Sequence, residues 1–341
     1  MMAQHAKISQ ALVQTMLPVD RAEQAERILA PMIDAEADAA PGVTRAQFAA
    51  AMNRILFLGL LDRVPSGRRY VADVEREGGR IAFDHGAVRS VCLAAGDTGA
   101  LPRGELAFRR ILEPLGYSVA AIYPLPKLRM TGRAYRHADF PDTMPQFFVS
   151  ELHVDQFDAD FAAAAQRVFG SSHDPLDAET KEMLRDFAEG RTVTLDRACH
   201  AMPVIVGAFG CHHATPELAD YERLRDSSRE AAWIATEGNA FNHATDRVAD
   251  VIALAEAQRA LGRPIKDSVE FSATGRVRQT AFRADTVERR FKVRGAADAV
   301  LEVPGSFYEF ISRDADPDTG LIDLSFDSGN ATGIFTMTQG A

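Results

Sequence analysis

The stretches RIAFDHGAVRSVCL (residues 80–93) and EGNAFNHATDRV (residues 237–248) decide the fold, because each predicts a strand that opens the same succession of elements. After the first stretch, hydrophobic periodicity and turn residues predict one helix and three strands, at residues 101–116, 117–125, 132–140 and 146–154. After the second, they predict the same order, at residues 249–262, 273–284, 287–295 and 305–313. A βαβββ unit that occurs twice indicates an internal structural repeat.

The regions before and between the two units are predicted to be helical. The strongest helix, at residues 44–64, is expected to be capped by Thr44 and ended by Pro65, whereas residues 201–210 fit either a buried strand or a short buried helix. We therefore expect an α+β fold with paired βαβββ modules, N-terminal helices and a helical insertion. The expected parts are an N-terminal helical region (1–79), a first module (80–154), the insertion (155–236), and a second module with a closing segment (237–341).

Charge and cysteine content exclude several classes of protein. A net charge of −10 argues against nucleic acid or an anionic membrane surface as the main partner. The cysteines Cys92, Cys199 and Cys211 form no C-x-x-C pair, which fits a reducing compartment and argues against a thiolate zinc site. No stretch approaches the roughly 20 apolar residues of a membrane span, and the N-terminus lacks a cleavage signature. We expect a soluble, cytoplasmic protein.

Three residues on predicted inner strand positions are candidate metal ligands. His85 and His243 lie at equivalent places in the first strand of each module, and Glu309 lies in the last strand of the second. A glutamate inside the apolar run SFYEFI would be costly if it were buried without a partner. Two histidines and one carboxylate form a three-ligand set that leaves positions open on a metal. The residues alone leave open a pair of packed core histidines and a glutamate paired with an arginine, and they do not choose the metal.

Four segments carry a resemblance to a known family. FDHGAVR (83–89), FNHATDRV (241–248), VRQTAFRA (277–284) and FYEFISR (307–313) resemble the signatures of the 2-oxoadipate dioxygenase/decarboxylase family, also called hydroxyglutarate synthase. The resemblance implies a vicinal-oxygen-chelate, glyoxalase-like fold and a non-haem Fe(II) centre on His85, His243 and Glu309. Zn, Ni or Mn is also compatible with these ligands. The sequence departs from the family at Asp246, where proline is frequent, and in a shorter helical insertion.

The resemblance also implies a reaction. The expected substrates are O₂ and a 2-oxo acid such as 2-oxoadipate, which would give CO₂ and a 2-hydroxy acid, 2-hydroxyglutarate. We expect neither nucleic acid nor a membrane as partner, and a homodimer stays open. The family arginine falls on Arg89, which would be the catalytic anion receptor, because a guanidinium offers forked donors to a carboxylate. The alternative for Arg89 is a salt bridge to Asp84 or Glu309.

Further polar residues are candidate substrate contacts. Arg278 and Thr280 share one face of the predicted strand at 273–284 and Gln279 lies on the other, so the alternation does not show which face lines the cavity. We favour Arg278 and Thr280. Ser328 and Asn330 alternate in the closing segment and could line the far end of the pocket.

Two other functions stay open from the sequence. The first is a glyoxalase-like metal-dependent isomerase or lyase without oxygen chemistry, for which Glu151 could supply a fourth ligand. The second is a non-catalytic binding protein of the same fold. His212 and His213 are expected to be packing residues, with Thr215 capping the next helix.

Overall fold

One eight-stranded curled sheet carries both modules. The computed structural model describes residues 2–34 and 42–326. In chain order the strands of the sheet are β1 (Phe83–Cys92), β2 (Tyr117–Leu125), β3 (Met130–His137), β4 (Gln146–His153), β5 (His243–Arg247), β6 (Glu270–Phe271), β7 (Val277–Ala281) and β10 (Phe307–Arg313). Across the sheet their order is β2-β3-β4-β1-β5-β10-β7-β6. The two opening strands, β1 and β5, therefore lie side by side at the centre.

The order of the strands confirms the duplication. β1 and β5 pair antiparallel, and each pairs on its other side with a parallel strand, β4 for β1 and β10 for β5. β3 and β2 follow on one side, and β7 and β6 on the other. The helices α5 (Leu106–Leu112) and α11 (Val251–Ala260) follow the opening strands. The chain thus has the expected α+β fold with paired modules.

One strand of the second module was assigned wrongly from the sequence. The segment predicted as its third strand, residues 287–295, forms β8 (Thr286–Phe291), which pairs with β9 (Ala299–Pro304) in a separate two-stranded sheet. The missing strand of the main sheet is β6, which has two residues. So short a strand carries no periodicity, whereas the alternating pattern of β8 is strong because the hairpin has an exposed face.

In the described residues before the sheet there are four helices: α1 (Met2–Gln14), α2 (Val19–Ile28), α3 (Arg45–Arg63) and α4 (Pro65–Arg76). Thr44 caps α3 as predicted, in a reciprocal arrangement with Gln47. Pro65 does not simply end that helix, because it is also the first residue of α4, a position where its missing N–H costs nothing. None of the helices in the described residues has the length and apolar character that a membrane crossing needs.

The insertion consists of α6 (Ala159–Phe169), α7 (Ala178–Ala188), α8 (Leu195–Gly207), α9 (Leu218–Ser227) and α10 (Arg229–Glu237). The undecided segment 201–210 is mostly helical, since it forms the end of α8. Part of the insertion packs on the sheet face that carries His85. Val91 and Leu152 lie on that face and share a buried cluster with Phe161 of α6 and Trp233 of α10.

The two faces of the sheet have different partners. We call the face that carries His85, Gln146, Thr245 and Glu309 the inner face, since these four residues are neighbours in register. The outer face contributes Val88, Tyr308 and Phe310 to the main hydrophobic core with helices α3 and α4.

The packing on the outer face is tight at Gly86. A Cβ added to Gly86 would lie 2.5 Å from the ring of Phe241, so the outer face of β1 needs a glycine here.

Candidate metal centre

The three predicted ligands meet on the inner face. His85 Nε2 lies 3.2 Å from Glu309 Oε2, and His243 Nε2 lies 3.5 Å from the same oxygen. The two Nε2 atoms are 3.4 Å apart. All three side chains are buried. The two histidines are 158 positions apart in the sequence, and the three side chains come from three different strands. The structure thus brings together residues that are distant along the chain.

The duplication explains this convergence. In the antiparallel pair β1–β5, His85 lies opposite Thr245 and Ala87 lies opposite His243, so the two histidines are related by an approximate two-fold axis between the strands. β10 then places Glu309 beside Thr245. The small side chain of Ala87 leaves room above the sheet for His243, and all these residues point to the same face because paired residues in a ladder do so.

The donor set fits a divalent metal. Ligand bonds of about 2.1 Å put neighbouring donor atoms about 3.0–3.4 Å apart in octahedral or tetrahedral geometry, close to the spacing seen here. Glu309 Oε2 accepts a hydrogen bond of 2.7 Å from Thr245 Oγ1. Glu309 Oε1 is buried and has no hydrogen-bond partner in the described part of the chain. A buried carboxylate oxygen without a donor is costly, and a cation at this position would satisfy it.

Neighbouring groups fix which nitrogen each imidazole presents. His85 Nδ1 donates to Asp84 Oδ1 at 2.8 Å, and His243 Nδ1 donates to Asn242 Oδ1 at 3.1 Å. Both rings therefore present Nε2 towards Glu309, as metal-ligating histidines with such partners commonly do. Asp84 in turn forms a bidentate pair with Arg313, at 2.9 Å on each side, and both side chains are almost fully buried.

The charges in the centre depend on burial and on each other. Burial lowers the pKa of His243 to about 3, so this imidazole is neutral and can ligate a metal. Burial also opposes the charge of His85, but Asp84 and Glu309 outweigh it and raise the pKa of His85. Burial likewise opposes ionisation of Glu309, yet the hydrogen bond and the charge of His85, with the hydrogen bond from Thr245, hold the pKa of its carboxyl below the ordinary value. A metal ion at this position would take over the role of the His85 proton.

Arg89 is buried on the inner face, four residues after His85. Its guanidinium lies 4.9 Å from the centre of the Trp233 ring, and its Nη2 lies 3.5 Å from Asn242 Oδ1. Burial lowers its pKa to about 10, so it stays charged at neutral pH. The sequence left open a salt bridge from Arg89 to Asp84 or Glu309, but Asp84 forms its salt bridge with Arg313.

The other predicted substrate contacts lie elsewhere. In the β7–β10 ladder, Gln279 lies opposite Ile311 and thus shares the inner face with Glu309, whereas Arg278 and Thr280 point to the outer face. Arg278 is ion-paired with Asp314 at 2.5 Å, and the Thr280 hydroxyl donates to the carbonyl of Ser268. The prediction that Arg278 and Thr280 line the cavity was wrong, because their strand is polar on both faces and its pattern does not mark the inner one.

The remaining two predicted contacts, Ser328 and Asn330, lie outside the described residues. The described chain stops two positions before Ser328, at Phe326, whose ring centroid is 4.8 Å from that of His85.

Sequence reasoning missed a group of inner-face residues beside the candidate metal ligands. Phe326 contacts Phe148 and Tyr123, with ring centroids 5.0 Å and 6.1 Å away, and its backbone N–H donates to Tyr123 Oη. Gln146 lies beside His85 in register, and Arg136 lies beside Gln146 in the continuing ladder. Alternation along β3 and β4 assigns faces within each strand, but only the strand order shows that these faces adjoin His85.

Glu151, the possible fourth ligand, is on the other face. It lies opposite Ser90 in the β1–β4 ladder, where it groups with Cys92 and His153 at distances that a metal could bridge. Glu151 is already occupied, because it accepts a hydrogen bond of 2.7 Å from the backbone N–H of Glu105 and lies 3.5 Å from the Arg133 guanidinium. The position that corresponds to Glu309 in the first module is held by Phe148.

His212 and His213 do not contribute to the centre. Each hydrogen-bonds to backbone carbonyl groups of the insertion, His212 to Ala208 and His213 to Ala214 and Ile234. Both are packing residues, as the sequence suggested. The next helix, α9, has Glu217 rather than Thr215 at its N-cap.

Comparisons with known proteins identify the family and the fold. The family model described as 2-oxoadipate dioxygenase/decarboxylase matches residues 64–316. A protein from Ralstonia eutropha JMP134 assigned to the glyoxalase superfamily is 48% identical, with a TM-score of 0.87 over 94% of this chain and 98% of that one. A search of curated proteins finds no significant match.

Two hydroxyglutarate synthases crystallised with 2-oxoadipate share the fold at lower identity. The one from Oryza sativa is 19% identical, covers 90% of this chain and 98% of its own, and has a TM-score of 0.65. The one from Pseudomonas putida is 21% identical, covers 88% of this chain and 75% of its own, and has a TM-score of 0.57.

Proposed function

The chain belongs to the 2-oxoadipate dioxygenase/decarboxylase family, and on that premise we propose that it is an Fe(II)-dependent dioxygenase that decarboxylates a 2-oxo acid to a 2-hydroxy acid one carbon shorter. The observation that carries the proposal is the buried facial set of His85, His243 and Glu309, with Nε2 and Oε2 atoms within 3.5 Å of one another. For 2-oxoadipate the products are 2-hydroxyglutarate and CO₂, which together contain all atoms of the substrate and one O₂.

Two histidines and one carboxylate on one side of a metal leave positions open on the other side. When bound, Fe(II) in such a set supplies sites for the carboxylate and keto oxygen of a 2-oxo acid and for O₂. Phe148 stands where a fourth protein ligand would close the set. This difference favours oxygen chemistry over a glyoxalase-like isomerase.

The protein residues around the centre have distinct roles in this proposal. Arg89 binds the carboxylate of the 2-oxo acid, because it is a charged, buried guanidinium on the same face as His85. Asp84 and Asn242 hold His85 and His243 with Nε2 towards the centre. Phe326, together with Phe148, covers the centre with aromatic carbon and excludes water from it.

The direct test is turnover under controlled oxygen. Protein stripped of metal is loaded with Fe(II) under anaerobic conditions, mixed with 2-oxoadipate, and then exposed to O₂. We expect O₂ consumption, CO₂ release and 2-hydroxyglutarate formation in equal amounts. CO₂ release that proceeds equally well without O₂ would overturn the dioxygenase assignment.

A variant pair tests the metal centre separately. Glu309→Gln should lose metal and activity together, since it removes the anionic ligand from a buried site. Glu151→Gln is the matched control, because Glu151 is a buried carboxylate of the neighbouring sheet region on the opposite face. If the Glu309→Gln protein binds Fe(II) as tightly as the Glu151→Gln protein, these three residues are not the ligand set.

A further inference from the structure

We propose that Arg136 and Gln146 form a second carboxylate subsite, which selects 2-oxo acids that carry a distal carboxylate. This inference rests on the proposed function, since it assumes that a 2-oxo acid is held at the His85–His243–Glu309 centre. It assigns the far end of the substrate to two residues that the sequence did not single out.

The ladder places the pair beside the metal ligands. Gln146 is the neighbour of His85 in the β1–β4 ladder. On β3, Arg136 follows Tyr135, which pairs with Phe147 of β4, so in the antiparallel register Arg136 lies beside Gln146. With about 4.8 Å between neighbouring strands, the backbone of Arg136 lies about 10 Å from that of His85. An extended chain of a few carbon atoms that starts at the metal can reach the guanidinium.

The donors of the two side chains already converge on one oxygen. Arg136 Nη2 and Gln146 Nε2 both donate to the carbonyl oxygen of Leu324, at 3.4 Å and 3.3 Å. Leu324 belongs to the segment that leads to Phe326, which covers the centre. A carboxylate oxygen of the substrate could replace this carbonyl without rearranging either donor.

Arg136 also has an unused donor. Its Nε is buried and has no hydrogen-bond partner within residues 2–34 and 42–326. A carboxylate that displaced the Leu324 carbonyl would bring a second oxygen, which Arg136 Nε could bind in the forked geometry of an arginine–carboxylate pair.

Charge distinguishes Arg136 from the other inner-face arginines. Arg313 and Arg247 both lie within 3.8 Å of the buried carboxylate of Asp84, and Arg89 is assigned to the carboxylate at the metal. Arg136 forms no ion pair with any carboxylate of the described chain, although it is partly buried. A guanidinium that has a carbonyl oxygen but no carboxylate as partner in this part of the chain is a ready receptor for an anionic group.

The experiment compares two substrates that differ only at the far end. 2-Oxoadipate and 2-oxohexanoate have the same chain length, but the second ends in a methyl group. We expect wild-type protein to favour 2-oxoadipate in kcat/KM by at least about 100-fold, because a site built for a charged group rejects an apolar one. Arg136→Leu should reduce this preference to below about 10-fold, mainly through KM for 2-oxoadipate, and Arg136→Lys should restore part of it.

Arg133→Leu is the matched control. Arg133 is on the same strand but faces the other side, towards Glu151, so its removal should leave the substrate preference unchanged. If Arg136 only ties down the segment at Leu324, Arg136→Leu will slow both substrates equally and the preference will persist. That result would overturn the subsite.

A binding measurement separates this inference from the proposed function. Dissociation constants for both acids are measured without O₂ on protein loaded with Mn(II). If wild-type protein binds the dicarboxylate more tightly and Arg136→Leu loses this preference, the subsite is supported even without turnover. Absence of turnover would then contradict only the dioxygenase proposal. Equal affinities for the two acids in wild-type protein overturn the subsite, whatever the turnover.

Discussion

Phe148 and Glu309 occupy equivalent positions in the two halves of the sheet. Each lies next to the residue two places after the histidine of its own half, which is Ala87 for Phe148 and Thr245 for Glu309. The approximate two-fold symmetry of the sheet would allow four protein ligands, two from each half. In the proposed centre the chain supplies three, and the aromatic ring of Phe148 at the fourth position leaves one side of the centre open.

Restoring the fourth ligand should therefore change the chemistry of the site. In Phe148→Glu we expect Zn(II) or Ni(II) to bind at least about 10-fold more tightly and oxygen-dependent turnover to fall by about 100-fold or more, since the added carboxylate takes an open position. Chelator competition and O₂ uptake measure the two effects. Phe148→Leu is the control, and it should keep the wild-type metal affinity. Unchanged metal affinity in Phe148→Glu would contradict the equivalence.

The Asp84–Arg313 pair should link metal affinity to stability. Asp84→Asn weakens the acceptor for His85 Nδ1, and we expect the affinity for metal to fall about 10–100-fold. The same change leaves the buried Arg313 without its counter-charge and should cost about 3–5 kcal/mol of unfolding free energy. Metal titration and urea unfolding measure these separately.

A double variant separates the two roles of Asp84. Asp84→Asn combined with Arg313→Gln removes the uncompensated charge, so it should recover part of the stability but none of the metal affinity. If the double variant regains both, Asp84 acts only through packing and charge balance and does not orient His85.

The close approach of Gly86 to Phe241 makes a third prediction. A methyl group at this position would meet the ring at 2.5 Å, and the ring is held by Phe83, Phe147 and Phe209. We expect Gly86→Ala to lower the free energy of unfolding by about 1–3 kcal/mol. Gly59→Ala is the control, because a Cβ there meets nothing within 4 Å and should stabilise α3. Equal effects of the two changes would show that the ring moves freely.

The sequence was sufficient to predict that the three candidate metal ligands meet, because two regular features located them. Strand alternation assigned His85 and Glu309 to definite faces, and the repeat made His85 and His243 equivalent. The same reasoning failed on β7, where Arg278 and Thr280 on one face and Gln279 on the other are all polar, so the pattern does not distinguish inside from outside. When hydrophobicity does not distinguish the two faces of a strand, the inner face can be identified only from its pairing, here the pairing of β7 with β10.

Contacts between strands that are distant in the sequence could not be predicted from it either. Arg136 and Gln146 adjoin His85 because β4 lies between β1 and β3, an order that no local pattern specifies. Phe326 lies in an irregular segment, so periodicity gave no indication that its ring would cover His85.

Asp246, where the sequence departs from its family, should make stability depend on pH. Its carboxyl is buried on the outer face, where it accepts hydrogen bonds from Tyr70 Oη at 2.7 Å and from the backbone N–H of Ala82 at 3.0 Å. Burial is the largest influence, and it raises the pKa of Asp246 from 3.8 to about 7. Between these two values the unfolded chain has released a proton that the folded chain still holds.

The sign of the effect follows from this difference in bound protons. Because the folded state binds the extra proton, the contribution of Asp246 to stability is full below pH 4 and is lost as the pH rises to about 7, by up to about 1.4 kcal/mol per pH unit. Above pH 7 both states are ionised and the contribution is constant. Asp246→Asn cannot ionise, so its stability relative to wild-type protein should rise from pH 4 to pH 7 and then stay level.

Urea unfolding of both proteins between about pH 4.5 and about pH 8.5 measures this relative stability across the region where it changes and the level region above it. Tyr70→Phe provides an independent check on the cause. The Tyr70 hydroxyl favours the ionised form of Asp246, so its removal should raise the pKa further and extend the loss of stability above pH 7. A difference between wild-type and Asp246→Asn protein that does not vary with pH would mean that Asp246 is ionised throughout the range, and its buried hydrogen bonds would then have to stabilise a charge.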